Sequence, residues 1–243
     1  MDTFSSASLC QSVNEASRPD QPLERLAVVA SYETGQPIHR YKDPAEHWFR
    51  IVAGAGRKIA LSANGHRQVV DFLLPGDFFG LCVSSAHHSC VEAMVPGTSV
   101  ARYARCSAEH LADLDPKIAR LIRQIAFASI ARLQRRTIIL GHSSALEKVS
   151  AFLLEMAGRN RGDSVSTIHL PMSRYDIADY LAMAVETLCR TLTSLRTRRV
   201  IDFRNAHHVR ICDAELLGMA SVGSIAGVGT RERSARGPHE VIG

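Results

Sequence analysis

Between residues 25 and 106 apolar and polar positions alternate in short runs, each closed by turn residues. Residues 48–52 are aromatic and β-branched and are broken by Gly54 and Gly56. Residues 57–61 alternate and meet Asn64-Gly65, a hairpin signal. Residues 68–73 stop at Pro75-Gly76-Asp77, residues 91–95 stop at Pro96-Gly97, and residues 100–104 close the set. Strands about every 8–12 residues, separated by turns, predict a β-barrel or a double-sheet jelly roll.

From residue 116 the period changes. Ile118, Ile122, Ile125, Ser129, Leu133, Arg136 and Leu140 recur at spacings of three and four, and Pro116 suits the first turn of a helix. The helix is about 37 Å long at 1.5 Å per residue, more than a small domain needs. Its stripe reads either as the face of a core helix packed on the barrel or as a dimer seam resembling a coiled coil. The seam expectation places Ile118, Ile122, Ile125, Ser129, Leu133 and Arg136 at a dimer interface. Gly141-His142-Ser143 is the expected hinge. Ser144 and Glu147 then have capping-box spacing, Leu146, Val149, Leu153 and Met156 form a second stripe, and Gly158 marks the stop. Residues 159–167 read as a polar loop.

Ser173 and Asp176 form a second capping box, opening a short helix over residues 174–181. Ala182-Met183-Ala184 breaks it, and residues 185–199 form another helix, with the small Ala178 where the two cross. Two helices joined by a tight turn make a helix-turn-helix, although the turn has no glycine and Ala184 is a poor cap. The second helix exposes Val185, Glu186, Cys189 and Arg190. Glu186 and Arg190, four apart, share a face and either pair with each other or meet base edges. A Glu accepts from cytosine N4, and an Arg donates twice to guanine O6 and N7. Residues 200–203 and 208–211 flank residues 204–207 as a hairpin in the position of a wing.

Composition adds direction. The 243 residues suffice for two small cores, and the formal charge is +5. From Arg174 to Arg210 there are seven Arg, no Lys and four acids, so the excess lies on the helix-turn-helix. Ser173, Arg174, Thr187, Arg196, Arg198 and Arg199, with Arg204 and Arg210, are candidate phosphate contacts, which position a protein without reading sequence. No apolar run approaches a bilayer span and the N-terminus has no signal-peptide pattern, so a cytoplasmic protein without membrane contact is expected. The six cysteines lack metal-ligand spacing and are expected as free thiols. A cupin-like metalloenzyme would need His and carboxylate ligands spaced across strands, which His39, His47, His66, His87 and His88 do not provide; no catalytic or metal residue is assigned. His87 and His88 are expected to be solvated.

With these features in place the chain resembles the CRP/FNR regulator family over about residues 25–212. The resemblance rests on residues 74–81, Leu-Pro-Gly-Asp-Phe-Phe-Gly-Leu, on the long helix, and on Glu186-Thr187-Leu188-Cys189-Arg190. The Glu-x-x-Cys-Arg arrangement is most similar to the FixK branch. The resemblance implies an α+β protein: a cyclic-nucleotide-binding-like β-jelly roll, a long dimerisation helix and a winged helix-turn-helix. The expected boundaries are a flexible arm over 1–24, the roll over 25–114, the dimerisation helix over 115–141, the DNA-binding domain over 142–214 and a flexible tail over 215–243. It further implies a homodimer on a TTG-N8-CAA palindrome in double-stranded DNA. Activation through RNA polymerase, of genes for low-oxygen respiration or nitrogen fixation, is also implied.

By that resemblance Glu186 and Arg190 read bases, Val185 replaces an Arg of the cyclic-AMP-binding members, and Cys189 stands where many relatives have Ser. Two family activities do not carry over. Residues 80–90 lack the Glu and the Arg that hold a cyclic nucleotide. Cys10 is alone before Cys82, whereas an iron–sulfur cluster needs several thiolates. No cofactor is therefore expected; a regulator controlled by an unidentified small ligand or haem in the roll is the alternative. Cys189, near a helix start among Arg residues, is an expected redox-sensitive position.

Overall fold

The computed structural model describes residues 22–61, 65, 67–159 and 167–222. Cys10, Asn64, His66, most of the 159–167 loop and residues 223–243 lie outside the described residues.

Eight strands build the N-terminal half: β1 (Ala27–Tyr32), β2 (Pro37–His39), β3 (His47–Ala53), β4 (Gly56–Leu61), β5 (Arg67–Leu73), β6 (Phe78–Phe79), β7 (Cys90–Ala93) and β8 (Thr98–Ala104). They form two antiparallel four-stranded sheets, ordered β1-β8-β3-β6 and β2-β7-β4-β5. Phe49, Ile51, Leu73, Phe79, Val91 and Val100 fill the space between them. This is the jelly roll. Apolar residues at alternate positions point inward along β7, where Val91 and Ala93 are buried and Cys90 and Glu92 half-buried.

Strand β5 departs from alternation. A register shift opposite Lys58 and Ile59 leaves Asp71, Phe72 and Leu73 all buried. Leu73 faces the roll, while Phe72 packs against the rings of Phe152 and Tyr180 at 6.3 and 5.0 Å between centroids. The outer face of β5 is thus covered by the C-terminal half of the chain. At the following turn Gly76 takes φ +92°, which only glycine adopts without strain. The turn presents Asp77, whose carboxylate accepts from the Leu74 N–H at 2.7 Å.

Helix α1 (Arg105–Leu114) follows the roll directly, and α2 (Pro116–Gly141) is the long helix, capped by the Asp115 side chain on the Lys117 N–H. The expected seam turns mostly inward. Ile118 and Ile125 are buried in a cluster with Trp48, Phe78, Ala101 and Tyr103, and Ile122 packs on the same cluster. Ser129 donates to the Ile125 carbonyl, and Arg136 donates to the Val69 carbonyl of β5. Only Leu133 of the six is exposed. In this single chain most of the stripe therefore lies against the flank of the roll, and Leu133 stays open. The helix has a second apolar face, with Phe127 60% and Ile130 49% exposed. A single-strand periodicity cannot say which of two apolar faces turns inward.

Helix α3 (Ala145–Arg159) starts after the break at His142, with the Glu147 N–H donating to Ser144 Oγ and Glu147 accepting from the Ser143 and Ser144 N–H groups. The rest is β9 (Thr167–His169), α4 (Arg174–Tyr180), α5 (Val185–Thr197), β10 (Ile201–Asn205), β11 (His208–Ile211) and α6 (Ala214–Ser221). A three-stranded sheet ordered β10-β11-β9 stands beside α4 and α5. Two expectations at the ends are corrected. The flexible tail from 215 begins with α6, which Asp213 caps and which buries Leu217 and Ala220 against its neighbours. At the other end, Leu23 is 1% exposed and Glu24 pairs with Arg50 at 2.6 Å, so the end of the 1–24 arm is fixed on the roll.

Candidate nucleic-acid interface

Helix α4 begins at the Ser173–Asp176 capping box, in which each side chain receives the other's backbone N–H. Ile177, Ala178, Tyr180 and Leu181 turn inward. The turn is made without glycine because Ala182 adopts φ +49°, a left-handed conformation with a small side chain, and the Met183 N–H donates to the Ala178 carbonyl. Helix α5 then buries Leu188, Thr191, Leu192 and Leu195. Ala184 gives it no side-chain cap.

The opposite face of α5 exposes Glu186, Cys189 and Arg190. Among the described residues no ion pair joins Glu186 to Arg190, so both polar ends are open to solvent. Val185 is half-buried and packs against the domain core. The sequence pattern puts all four on one exposed face; the structure brings three of them to it.

Cations surround this face. The Arg174 guanidinium lies over the Phe203 ring of the wing, 4.9 Å from its centroid. Its Nη1 is buried without a hydrogen-bond partner. Burial lowers the Arg174 pKa from its ordinary value, and the charge of an ionised Cys189 would oppose that shift. Arg196 and Arg210 both approach Asp202, at 3.7 and 3.6 Å, in exposed pairs of the kind that add little stability and yield readily to other anions. Arg198, Arg199 and Arg204 are exposed. Thr187, in the first turn of α5, is half-buried, while the Ser173 hydroxyl is held by Asp176 at 2.7 Å and serves the cap first.

Sequence reading missed the link between this interface and the roll. Arg57 of β4 pairs with Asp176 at 2.6 Å and with Glu92 at 3.0 Å, and the Val69 N–H of β5 donates to Asp179 at 2.6 Å. Asp176 and Asp179 both lie on α4, so the β4–β5 hairpin holds the first helix of the helix-turn-helix through these two carboxylates. Behind it Arg132 pairs with Asp71 at 3.3 Å and Asp77 at 3.2 Å, and Arg159 pairs with Asp77. Burial alone would raise the Asp77 carboxyl, but Arg159 and Arg132 outweigh it and hold the pKa below the ordinary range. The only advance signal was the presence of charged residues at alternating positions on strands that otherwise read as apolar.

Within the roll, His87 departs from expectation. It is 3% exposed and stacked on His39 with ring centroids 3.9 Å apart, whereas His88 is exposed and bonds to Ser84. Burial, reinforced by His87, lowers His39 to about 4. Among the described residues no group of three His, Cys, Asp or Glu side chains is placed to hold a metal. The five described cysteines are unpaired.

A jelly roll, a long helix and a winged helix-turn-helix whose second helix presents polar, unpaired side chains define a DNA-binding transcription regulator. Comparison with known proteins agrees with this class. Residues 29–105 match the cyclic nucleotide-binding domain family and residues 147–219 the Crp-like helix-turn-helix domain family. The chain is 33% identical over 196 residues to the nitrogen fixation regulation protein FixK of Rhizobium meliloti (strain 1021), covering 81% of this chain and 88% of that one. It is 30% identical over 183 residues to the transcriptional activatory protein AadR of Rhodopseudomonas palustris, covering 74% and 76%. The solved structure of FixK2 from Bradyrhizobium japonicum superposes with a TM-score of 0.73 at 34% identity, over 79% of this chain and 96% of that one. The chain belongs to the CRP/FNR family of regulators, in its FixK-like branch.

Proposed function

We propose that this chain is a homodimeric transcription activator that reads a TTG-N8-CAA palindrome through α5, for genes of low-oxygen respiration or nitrogen fixation. The observation that carries the reading is the exposed pair Glu186 and Arg190, four apart on α5 and unpaired with each other. Arg190 suits a guanine and Glu186 a cytosine N4 on the base edges of the major groove. Cys189 stands between them at the DNA surface, and Val185 supports the helix from the core side. Arg174, with its unsatisfied Nη1, and Arg196, Arg198 and Arg199 take phosphates, with Ser173 and Thr187 at the edges. The names of the relatives, a nitrogen fixation regulator and a transcriptional activator, support the direction of control.

Dimerisation uses the outer face of α2. Arg123, Phe127, Ile130, Gln134 and Thr137 follow one another at spacings of four, three, four and three, and Phe127 and Ile130 are exposed apolar side chains. The palindrome's half-sites are centred about 11 bp apart, close to one turn of DNA, which suits a twofold pair of α5 helices. RNA polymerase is the further partner, and the protein acts in the cytoplasm. Neither a cyclic nucleotide nor an iron–sulfur cluster is required. Peroxide oxidation of Cys189 to a sulfinate would place an anion beside Arg174 and Arg190 and repel phosphate.

The reading is tested by exchanging contacts. Arg190→Ala should flatten the preference for the guanine of TTG by about 10–100-fold per half-site while leaving non-specific binding largely intact. An unchanged preference would remove Arg190 from base reading. Cys189→Ser should keep DNA binding through peroxide treatment that inactivates the parent; equal inactivation would end the redox proposal.

A further inference from the structure

A second concave site lies away from α5. The turn at residues 74–78, α2 and one face of α3 border a partly open cavity of about 590 Å³, with Ser221 of α6 at its edge. The size is in the usual range for a small-molecule site. Phe78, Ile125, Ile138 and Leu154 give it apolar walls. None of Arg123, Phe127, Ile130, Gln134 and Thr137 lines it, so the proposed dimer face and the cavity occupy different sides of α2.

Three cations and three acids, counting Asp71 behind Arg132, meet around it, but they are unevenly engaged. Arg132, Arg135 and Arg159 line the cavity against Asp77 and Glu155. Arg132 and Arg159 are both held by Asp77, and Arg132 also by Asp71. Arg135 makes no ion pair or hydrogen bond among the described residues. Glu155, the remaining acid, is pushed up from the usual carboxylate range by burial and accepts a long hydrogen bond from the Tyr180 hydroxyl at 3.5 Å. Glu155 feels the Arg135 charge at a distance but makes no direct bond to it, so the half-buried guanidinium beside apolar walls keeps its donors open to a carboxylate.

We propose that this cavity binds a small amphipathic carboxylic acid, its carboxylate on Arg135 and its apolar body among Phe78, Ile125, Ile138 and Leu154. The walls come from the roll, from α2 and from α3, and α3 supplies Phe152, Leu153 and Met156 to the core of the DNA-binding half. An occupant touches both halves of the molecule at once. Its differential affinity for their arrangements then biases the presentation of α5. This site is separate from the roll interior, and the inference does not rest on the identity of the DNA sequence read.

Calorimetric titration of the full chain with sodium octanoate tests it, with octan-1-ol and octylammonium as charge controls. Octanoate, with roughly ten non-hydrogen atoms, should bind with a Kd near or below about 1 mM. Octanol should bind at least tenfold more weakly and octylammonium more weakly still, since a charged hydrogen bond is worth about tenfold or more. Arg135→Gln, which removes an unpaired cation and should fold normally, should lose that tenfold, and Ala128→Phe should fill the chamber and abolish binding. Equal affinity for octanoate and octanol, or octanoate binding unchanged in both variants, would overturn the proposal. Affinity that falls as protein concentration rises would assign the face to a second copy of the chain and overturn it as well. None of these readings involves DNA, so failure here and failure of the DNA-binding reading are distinguishable.

Discussion

Replacing Asp77 with alanine should unseat the junction between the roll and the DNA-binding half. Asp77 sits in the turn after β5, and its carboxylate receives the Arg132 Nη1 at 3.2 Å, the Arg159 Nη2, and the Leu74 N–H at 2.7 Å. The side chains of Arg132 and Arg159 are only 9% and 11% exposed. Removing one partner of a buried ion pair costs about 3–5 kcal/mol, because the other charge is left in a poor solvent. Arg132 retains Asp71 and Arg159 retains the Phe72 carbonyl, so the lower end, about 3 kcal/mol, is expected for Asp77→Ala. Urea unfolding at fixed protein concentration measures it, followed both by the fluorescence of Trp48, the sole tryptophan, and by helical circular dichroism. Both probes should move, since Trp48 lies in the roll and most helix lies beyond it. The pH dependence has a definite sign. Asp77 has a folded pKa below its unfolded value, so its stabilisation is present above the unfolded value and is lost as pH falls through the folded one. The gap between parent and variant should therefore narrow below about pH 4. A loss under about 1 kcal/mol at pH 7, or a gap constant with pH, would refute this reasoning.

Other outcomes follow from the same contacts. His39, lowered to about 4 by burial and by His87, is neutral in the folded roll. It should cost roughly 3 kcal/mol of stability as pH falls from 6.5 to 4, and His39→Phe, which keeps the stacking, should abolish that loss in an acid unfolding series. Phe127→Glu with Ile130→Glu should give a monomer by sedimentation and lose palindrome binding; a persisting dimer would move the interface elsewhere. Arg57→Ala removes the 2.6 Å pair to Asp176 and should raise amide exchange in α4 about tenfold or more, with unchanged exchange contradicting a clamp by the β4–β5 hairpin.

Much of this was legible in the sequence, for identifiable reasons. The capping boxes at Ser144–Glu147 and Ser173–Asp176 are local hydrogen-bond patterns, and both form as their spacing predicts. Inward positions such as Val149, Leu153 and Leu188 follow the helical period. The exposure of Glu186, Cys189 and Arg190 follows from the same period read on the opposite side. What escaped depends on tertiary arrangement. The α2 stripe has apolar residues on two faces, and only the position of the roll selects Ile118 and Ile125 for its own core. Phe72 looked like a roll residue and belongs instead to the core of the C-terminal half, because a register shift on β5 and an overlying helix bury both faces. The pairs Arg57–Asp176 and Arg159–Asp77 join residues 119 and 82 positions apart, a separation at which no local pattern signals contact.

The central claim is sequence-specific reading by α5, and the most direct measurement is fluorescence anisotropy of the purified, reduced full-length chain on a TTG-N8-CAA duplex and on a scrambled duplex. No ligand is added, and the salt concentration is fixed, because phosphate contacts make affinity strongly salt-dependent. Two chains should bind each palindromic duplex, at least about 10³-fold tighter than the scrambled duplex. Equal affinity for the two duplexes, or binding to neither, would contradict sequence-specific reading.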